Sequence, residues 1–125
     1  MNEKILITDD EPNILISLEY LMKREGYQVS VARDGQEAID AVARDKPRLV
    51  LLDVMMPKKT GFEVCQALRA DEANRDIRIL LLTAKGRETD VAKGLGMGAD
   101  AYMMKPFSTR ELTEKVRQML LERGE

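Results

Sequence analysis

The chain of 125 residues contains no histidine. This absence excludes a histidine general base, a histidine metal ligand and a phosphohistidine formed within the chain itself. Cysteine occurs once, at Cys65, so no disulfide can form within one chain, and this usage fits a reducing cytosol. We therefore expect a cytoplasmic protein in which any phosphohistidine chemistry is supplied by a partner.

A basic surface and a long apolar run are also missing. The net charge is -2 and the pI is about 5.3, so nothing in the charge balance favours nucleic acid as a direct partner. No apolar stretch approaches the length of a membrane span, and the first residues do not have the pattern of a signal peptide. We expect neither nucleic acid nor a membrane as a direct partner.

What is present predicts one globular domain over residues 1–125. Hydrophobic residues make up 44% and charged residues 34% of the chain, and its length allows roughly two-thirds of the unfolded surface to be buried. No internal repeat or low-complexity linker interrupts it. The last helix is expected to run from Ser108 to about Arg123. We therefore expect that this chain encodes no effector domain.

Short apolar runs alternate with longer segments of helical period. The runs are Ile5–Ile7, Val29–Val31, Leu49–Leu52, Ile79–Leu82 and the weaker Ala101–Met103. Between them, apolar residues recur three and four positions apart, as in amphipathic helices. This βα pattern, repeated five times, predicts an α/β fold in which a mainly parallel five-stranded sheet is covered on both faces by five helices.

Carboxylates follow two of these predicted strands. Asp9 and Asp10 come after Ile5–Ile7, and Asp53 follows Leu49–Leu52. With strand order 2-1-3-4-5 the two strands are neighbours, and ligands of such sheets bind at the carboxyl edge where the order reverses. Like charges at close range raise one another's pKa unless a cation intervenes, so this patch predicts a divalent metal. Taken singly, Asp10 is also a helix-capping residue and Asp53 a loop-starting one.

A hydroxyl and an ammonium group end two further strands at the same edge. Thr83 follows Ile79–Leu82, and Lys105 follows the fifth strand. Beside a carboxylate nucleophile and a hard cation, these groups suit a phosphoryl group, whose oxygens carry the charge to be stabilised. Taken singly, Thr83 could be an ordinary β-branched residue at a strand end, and Lys105 could be an ordinary solvated lysine. Together the strand ends favour phosphoryl transfer.

In this order and spacing, the motifs resemble those of receiver domains of two-component response regulators. The resemblance covers about residues 4–118. It rests on Asp9–Glu11, Leu51–Pro57 with Gly61, Leu82–Ala84, Gly98–Asp100 and Lys105–Phe107. It implies a flavodoxin-like, doubly wound sheet of order 2-1-3-4-5. It also implies a phosphoacceptor switch that is not an enzyme, apart from its own phosphorylation and dephosphorylation.

The resemblance implies roles for the acidic residues and their neighbour. Asp53 would accept the phosphoryl group and become an acyl phosphate. The cofactor would be Mg²⁺, held directly by Asp10 and Asp53, through water by Asp9, and by the backbone carbonyl of Met55.

It also implies roles for residues of the fourth and fifth strands. Lys105 would pair with a phosphoryl oxygen, Thr83 would donate its hydroxyl to another, and Ala84 would offer its backbone amide. The Lys105-Pro106 peptide bond would be cis. Tyr102 would be the switch aromatic that moves with Thr83 and changes the surface of the fourth helix, fifth strand and fifth helix. Core packing is the alternative role of Tyr102.

The implied partners are a histidine kinase or phosphotransfer protein and a downstream effector domain or protein. A phosphorylation-dependent homodimer is a further hypothesis. Ala101 stands where many DNA-binding relatives carry a second acidic residue that joins a dimer salt-bridge network. That mode of dimerisation is therefore left open.

Three other functions compete with this one. A phosphatase that forms an aspartyl phosphate usually carries a second aspartate two residues after the nucleophile, where Met55 stands here. A flavodoxin-like cofactor protein would have a phosphate loop rich in Ser, Thr and Gly in place of Asp9–Pro12. A phosphorylation-independent docking module would not need the complete set of site residues.

Overall fold

A parallel sheet forms the centre of the protein. The computed structural model describes residues 3–56, 58–84 and 88–121. The strands are β1 (Lys4–Thr8), β2 (Gln28–Ala32), β3 (Leu49–Asp53), β4 (Arg78–Ala84) and β5 (Ala101–Lys105). The helices are α1 (Pro12–Arg24), α2 (Gly35–Asp45), α3 (Gly61–Ala70), α4 (Glu88–Gly96) and α5 (Thr109–Leu121). A single 3-10 turn, Glu72–Asn74, follows α3.

The five strands run in the order β2-β1-β3-β4-β5, and every neighbouring pair is parallel. The predicted fold class, strand order and number of helices are therefore confirmed. β1 and β3 lie side by side with Ile7 opposite Leu51, which brings their carboxyl ends to the same edge. None of the described helices is both long enough and apolar enough to cross a membrane.

Alternate residues of the central strands face two separate apolar layers. Helices α1 and α5 cover one face, where the buried strand residues are Ile5, Ile7, Leu49, Leu51, Leu80 and Leu82. Helices α2 and α3 cover the other face, where the buried strand residues are Leu6, Val50, Leu52, Ile79 and Leu81. Strands buried on both faces explain the uninterrupted apolar runs of the sequence.

Side chains cap two of the helices, α2 and α5. Asp34 accepts a hydrogen bond from the backbone N–H of Glu37 at 2.9 Å and starts α2, while Glu37 Oε1 accepts from the N–H of Arg33. Ser108 and Glu111 form the complete reciprocal box before α5. Such caps satisfy backbone donors that a helix cannot pair internally. The predicted end of the last helix, near residue 123, lies outside the described residues.

A network at the amino edge of the sheet joins α3 to the turn before β5. Arg69 donates to the carbonyl oxygens of Gly98 at 2.9 Å and Asn74 at 3.0 Å, and to Asp100 Oδ2 at 2.7 Å. The same Asp100 oxygen accepts from the N–H of Ile79 at 2.8 Å. The network therefore fixes the start of β4 and the entry to β5, at the edge opposite the predicted site.

Candidate functional site

Three carboxylates meet where β1 and β3 end. Asp9 is fully buried, Asp53 is 7% exposed and Asp10 is exposed. Each offers an oxygen, and these oxygens all lie within 4.8 Å of one another. Because β1 and β3 are adjacent and parallel, the chain leaves both strands at the same edge of the sheet, which brings these carboxylates together.

Lys105, the last residue of β5, bridges two of these carboxylates. Its Nζ lies 3.1 Å from Asp9 Oδ2 and 3.5 Å from Asp53 Oδ1. The other oxygen of Asp9, Oδ1, accepts the N–H of Glu11 at 3.0 Å. Both oxygens of Asp9 are therefore engaged, whereas the longer bond to Lys105 is the one hydrogen bond that the Asp53 side-chain oxygens make within the described part of the chain.

The charges of the site are not balanced. Burial raises the pKa of Asp53 to about 6; Lys105 opposes this rise, and the charges of Asp9 and Asp10 add to it. Burial lowers the pKa of Lys105, but the charges and hydrogen bonds of Asp53 and Asp9 outweigh burial, so the pKa is raised overall. Among the described residues, one ammonium group, that of Lys105, therefore lies beside a cluster of three carboxylates.

An open cleft of about 490 Å³ lies over this cluster. Its lining residues are Asp10, Glu11, Asp53, Val54, Met55, Thr83, Ala84 and Lys105. The predicted phosphoacceptor, the predicted phosphoryl-contacting residues and Met55 thus border one cavity. Asp9 lies beneath it and Tyr102 does not border it.

Thr83 has a buried hydroxyl with unused hydrogen-bonding capacity. The residue is 2% exposed, and none of the described residues forms a hydrogen bond with its Oγ1. Leaving such a group unpaired costs about 1–3 kcal/mol, so an unpaired hydroxyl beside a cleft indicates that a ligand completes its bonding.

The donor set at the cleft fits a hard divalent cation. Mg²⁺ prefers oxygen ligands and is usually held by one or two carboxylates together with waters. Asp10 and Asp53 border the cleft, and their oxygens are close to those of Asp9. The excess of negative charge and the unpaired hydroxyl both agree with a cation that in turn attracts an anionic group.

The segment after β3 carries Met55 over the cleft. Val54 and Met56 are buried in the apolar layer under α2 and α3, while the side chain of Met55 between them is 56% exposed. The chain then turns so tightly that a Cβ at Gly61 would lie 2.6 Å from the carbonyl oxygen of Asp53. Only glycine allows this approach of α3 to the end of β3.

Thr60 and Glu63 hold the start of α3, and the sequence analysis missed them. The Thr60 hydroxyl accepts the N–H of Glu63 at 3.2 Å, and Glu63 Oε1 accepts the N–H of Thr60 at 2.8 Å. The signal was available, because Ser or Thr followed three residues later by Glu is the signature of a capping box. This box fixes the far end of the segment that follows Asp53.

Comparison with known proteins agrees with this geometry. A family model described as "Response regulator receiver domain" matches residues 5–117. The chain belongs to the response regulator receiver domains. It is 48% identical over 120 residues to the alkaline phosphatase synthesis transcriptional regulatory protein PhoP of Bacillus subtilis (strain 168). The match covers 96% of this chain and 49% of that relative, so the chain spans about half the relative's length.

Solved structures of receiver domains are similar to this receiver domain. A CheY-like receiver domain protein from Methanospirillum hungatei JF-1 superposes with a TM-score of 0.90 at 30% identity, covering 98% of this chain and 96% of that one. The receiver domain of sensor histidine kinase PA1611 from Pseudomonas aeruginosa PAO1 has a TM-score of 0.89 at 27% identity, covering 98% of this chain and 100% of that one. The PA1611 structure has a magnesium ion coordinated in its active site cleft.

The receiver domain places Thr83 and Tyr102 on adjacent strands. Thr83 is in register with Met104, two residues after Tyr102, so both side chains project to the same face of the sheet. The Tyr102 ring lies at the surface, 42% exposed. The Lys105-Pro106 peptide bond that follows is cis.

Proposed function

We propose that this receiver domain is the phosphoacceptor of a phosphorelay and that Asp53 takes the phosphoryl group. The observation that carries the proposal is that Asp53 borders the open cleft with little hydrogen bonding of its own, beside Lys105 and the other two carboxylates. Asp9 is fully buried and has both oxygens engaged, so it is the weaker nucleophile.

The proposed reaction is an in-line transfer. A carboxylate oxygen of Asp53 attacks phosphorus of a phosphohistidine on a histidine kinase or phosphotransfer protein, and the P–N bond breaks with its electron pair leaving to the imidazole. The product on this chain is an acyl phosphate. Because the chain has no histidine, the donor imidazole must come from the partner.

Mg²⁺ would be held by Asp10, Asp53 and the backbone carbonyl of Met55, with Asp9 acting through water. When bound, it neutralises carboxylate charge and shields the phosphoryl oxygens. The chain's own part is to present Asp53 and to supply donors. Lys105 would leave its contacts with Asp9 and Asp53 for a phosphoryl oxygen.

Thr83 and Ala84 would supply the remaining donors. The hydroxyl of Thr83 has no partner among the described residues, so donating it to the phosphoryl group breaks no bond within that part of the chain. Ala84 would offer its backbone amide from the same strand end. A shift of Thr83 would leave room for Tyr102 to turn inward, which changes the surface formed by α4, β5 and α5.

Two relatives support the choice of partners. PhoP is a transcriptional regulatory protein of which the chain covers 49%, and the PA1611 domain belongs to a sensor histidine kinase. We infer that this receiver passes its state to an effector domain or protein. Against a phosphatase, the position two residues after Asp53 is the exposed Met55, which has no acid or base to offer.

Intact mass measurement after incubation with acetyl phosphate tests the proposal. We expect wild type to gain one phosphoryl group with Mg²⁺ and none with EDTA. Asp53→Asn should gain none, while Asp40→Asn, an exposed aspartate of α2, should match wild type. An adduct that persists in Asp53→Asn, or one that forms without Mg²⁺, would contradict the proposal.

A further inference from the structure

The segment that carries Met55 is held by more than the apolar contacts of Val54 and Met56. Lys58, three residues after Met55, has a φ of 70°, a left-handed conformation that residues other than glycine rarely adopt. Such a conformation persists only where neighbouring contacts hold it in place. The contacts come from the turn between β2 and α2.

Asp34 supplies a charged contact to this segment. Its Oδ2 lies 3.6 Å from Lys58 Nζ, while its Oδ1 accepts the N–H of Glu37 as the cap of α2. The Asp34 side chain is 11% exposed, so it is fixed by its surroundings, whereas the Lys58 side chain is 69% exposed. The hydrogen bond from the Glu37 N–H lowers the pKa of Asp34, which therefore stays charged opposite Lys58.

Gly35 supplies a steric contact to the next residue. A Cβ added at Gly35 would lie 2.9 Å from the carbonyl carbon of Lys59, and still closer to the carbonyl oxygen and Cβ of that residue. Real Cβ atoms do not approach backbone so closely, so alanine at position 35 forces either α2 or the Lys59 backbone to move. Asp34 and Gly35 thus contact Lys58 and Lys59, respectively.

These contacts bear on the metal site because of where the segment is anchored. Val54 is fixed at one end by its N–H bond to the Leu82 carbonyl at 3.1 Å, and Gly61 at the other by its N–H bond to the Val54 carbonyl at 2.9 Å. Lys58 and Lys59 lie between these points. They therefore belong to the same anchored segment as the Met55 carbonyl.

We propose that Asp34 and Gly35 are positioning residues for the Mg²⁺ site, acting through Lys58 and Lys59 on the backbone that presents the Met55 carbonyl. The inference rests on the proposed function, because it assumes that this carbonyl is a ligand. Outer contacts that orient ligands commonly change metal affinity by about 10- to 100-fold when removed.

Isothermal titration with Mg²⁺ alone tests the inference on the full chain. Gly35→Ala should weaken Mg²⁺ binding roughly tenfold. Asp34→Asn keeps an oxygen for the helix cap but loses the charge opposite Lys58, and should weaken binding about threefold. Gly96→Ala is the matched glycine control, because a Cβ there meets nothing within 4 Å. Ser108→Ala removes a helix cap at a residue that does not line the cleft and controls for lost stability.

The two controls should bind Mg²⁺ as wild type does, even where Ser108→Ala is as unstable as Gly35→Ala in urea. If wild type binds Mg²⁺ and both Gly35→Ala and Asp34→Asn bind it as tightly as wild type, the positioning role is overturned and the proposed function stands. If wild type itself does not bind Mg²⁺, the positioning role and the proposed function both fail. Should Gly35→Ala not fold, unchanged affinity in Asp34→Asn alone overturns the inference.

Discussion

Two clusters of charged side chains lie at opposite edges of the sheet, and they are built differently. At the amino edge, cations surround one anion: Arg69 donates to three acceptors, Asp100 Oδ2 accepts from Arg69 and from the Ile79 N–H, and Arg78 Nε lies 3.9 Å from the same oxygen. At the carboxyl edge, among the residues that the structure describes, three carboxylates cluster and the ammonium of Lys105 contacts two of them, Asp9 and Asp53. A buried hydroxyl there, that of Thr83, has no partner among the described residues.

The difference separates a structural cluster from a functional one. Paired charges hold backbone segments together, whereas an excess of charge of one sign is retained where a ligand completes it. Burial raises the pKa of Asp53 to about 6, and the charges of Asp9 and Asp10 add to this rise. Breaking the two clusters should therefore change stability with opposite signs.

Arg69→Met should have the largest effect on stability. It leaves Asp100 with the longer contact to Arg78, at 3.9 Å, and removes the bonds that Arg69 donates to the carbonyls of Gly98 and Asn74. The side chains of Arg69 and Asp100 are only 22% and 27% exposed. We expect a loss of about 3 kcal/mol in the free energy of unfolding, measured in urea. Arg75→Met, which breaks an exposed pair with Glu72, should change it by less than about 0.5 kcal/mol. Equal losses in both variants would contradict the account.

Asp53→Asn should act in the opposite direction and stabilise the metal-free protein. A folded-state pKa of about 6, against an ordinary value of 3.8, means that the folded protein binds more protons than the unfolded chain between these values, so wild-type stability falls as pH rises through this window. Above about pH 6 Asp53 is charged and destabilises the wild-type fold, so the free energy of unfolding of Asp53→Asn should exceed that of wild type by about 2 kcal/mol. Near pH 4 this difference should vanish.

Chemical denaturation without Mg²⁺ at several pH values measures this gain. Asp34→Asn is the matched control with the opposite sign, because the pKa of Asp34 is lowered by the Glu37 N–H. Its wild-type carboxylate stabilises the fold above the unfolded pKa and loses that contribution as pH falls. A destabilised Asp53→Asn at pH 7.5 would show that the cluster is not strained.

Mg²⁺ should stabilise wild type by a smaller amount. At about ten times the dissociation constant, binding to the folded state alone contributes about 1.4 kcal/mol. The stabilisation by Mg²⁺ should be unchanged in Arg69→Met, because that cluster lies at the other edge of the sheet. It should be smaller in Asp53→Asn. Thermal unfolding with and without Mg²⁺ measures it, and an increment lost in Arg69→Met would show that the two edges are not independent.

Thr83→Val should have the smallest effect. It replaces an unpartnered hydroxyl by a methyl group of the same shape, so the metal-free protein should keep its stability or gain up to about 1 kcal/mol. Thr60→Val, which removes a hydroxyl that caps α3, should lose about 1 kcal/mol. Urea denaturation of both variants makes the comparison, and a Thr83→Val loss as large as that of Thr60→Val would indicate a hidden bond.

The sequence predicted most of the fold because uninterrupted apolar runs and helical periods are local patterns. The predicted strand Ile79–Leu82 is found as the core of Arg78–Ala84, and the predicted strand Leu49–Leu52 is found within Leu49–Asp53. The residues predicted for the site meet at one edge because parallel strands carry their ends there. Their chemical roles stay predictions.

What the sequence did not predict depends on contacts between distant residues. Arg69 stands in α3 as an ordinary charged residue, and its partner Asp100 is 31 positions away. The contact of Gly35 with Lys59 likewise exists only once α2 has docked beside the segment after β3. Thr60 and Glu63 are the exception, since their spacing alone marked a helix start.

We infer that the carboxylate cluster is strained without metal and relieved by it. A ¹³C NMR titration of the Asp53 carboxyl carbon measures this strain as a shift in pKa. We predict a pKa of about 6 without metal, because burial and the neighbouring carboxylates disfavour the charged form. With saturating Mg²⁺ the pKa should fall below its ordinary value. An ordinary pKa without metal, or a raised pKa that Mg²⁺ leaves unchanged, would contradict the account.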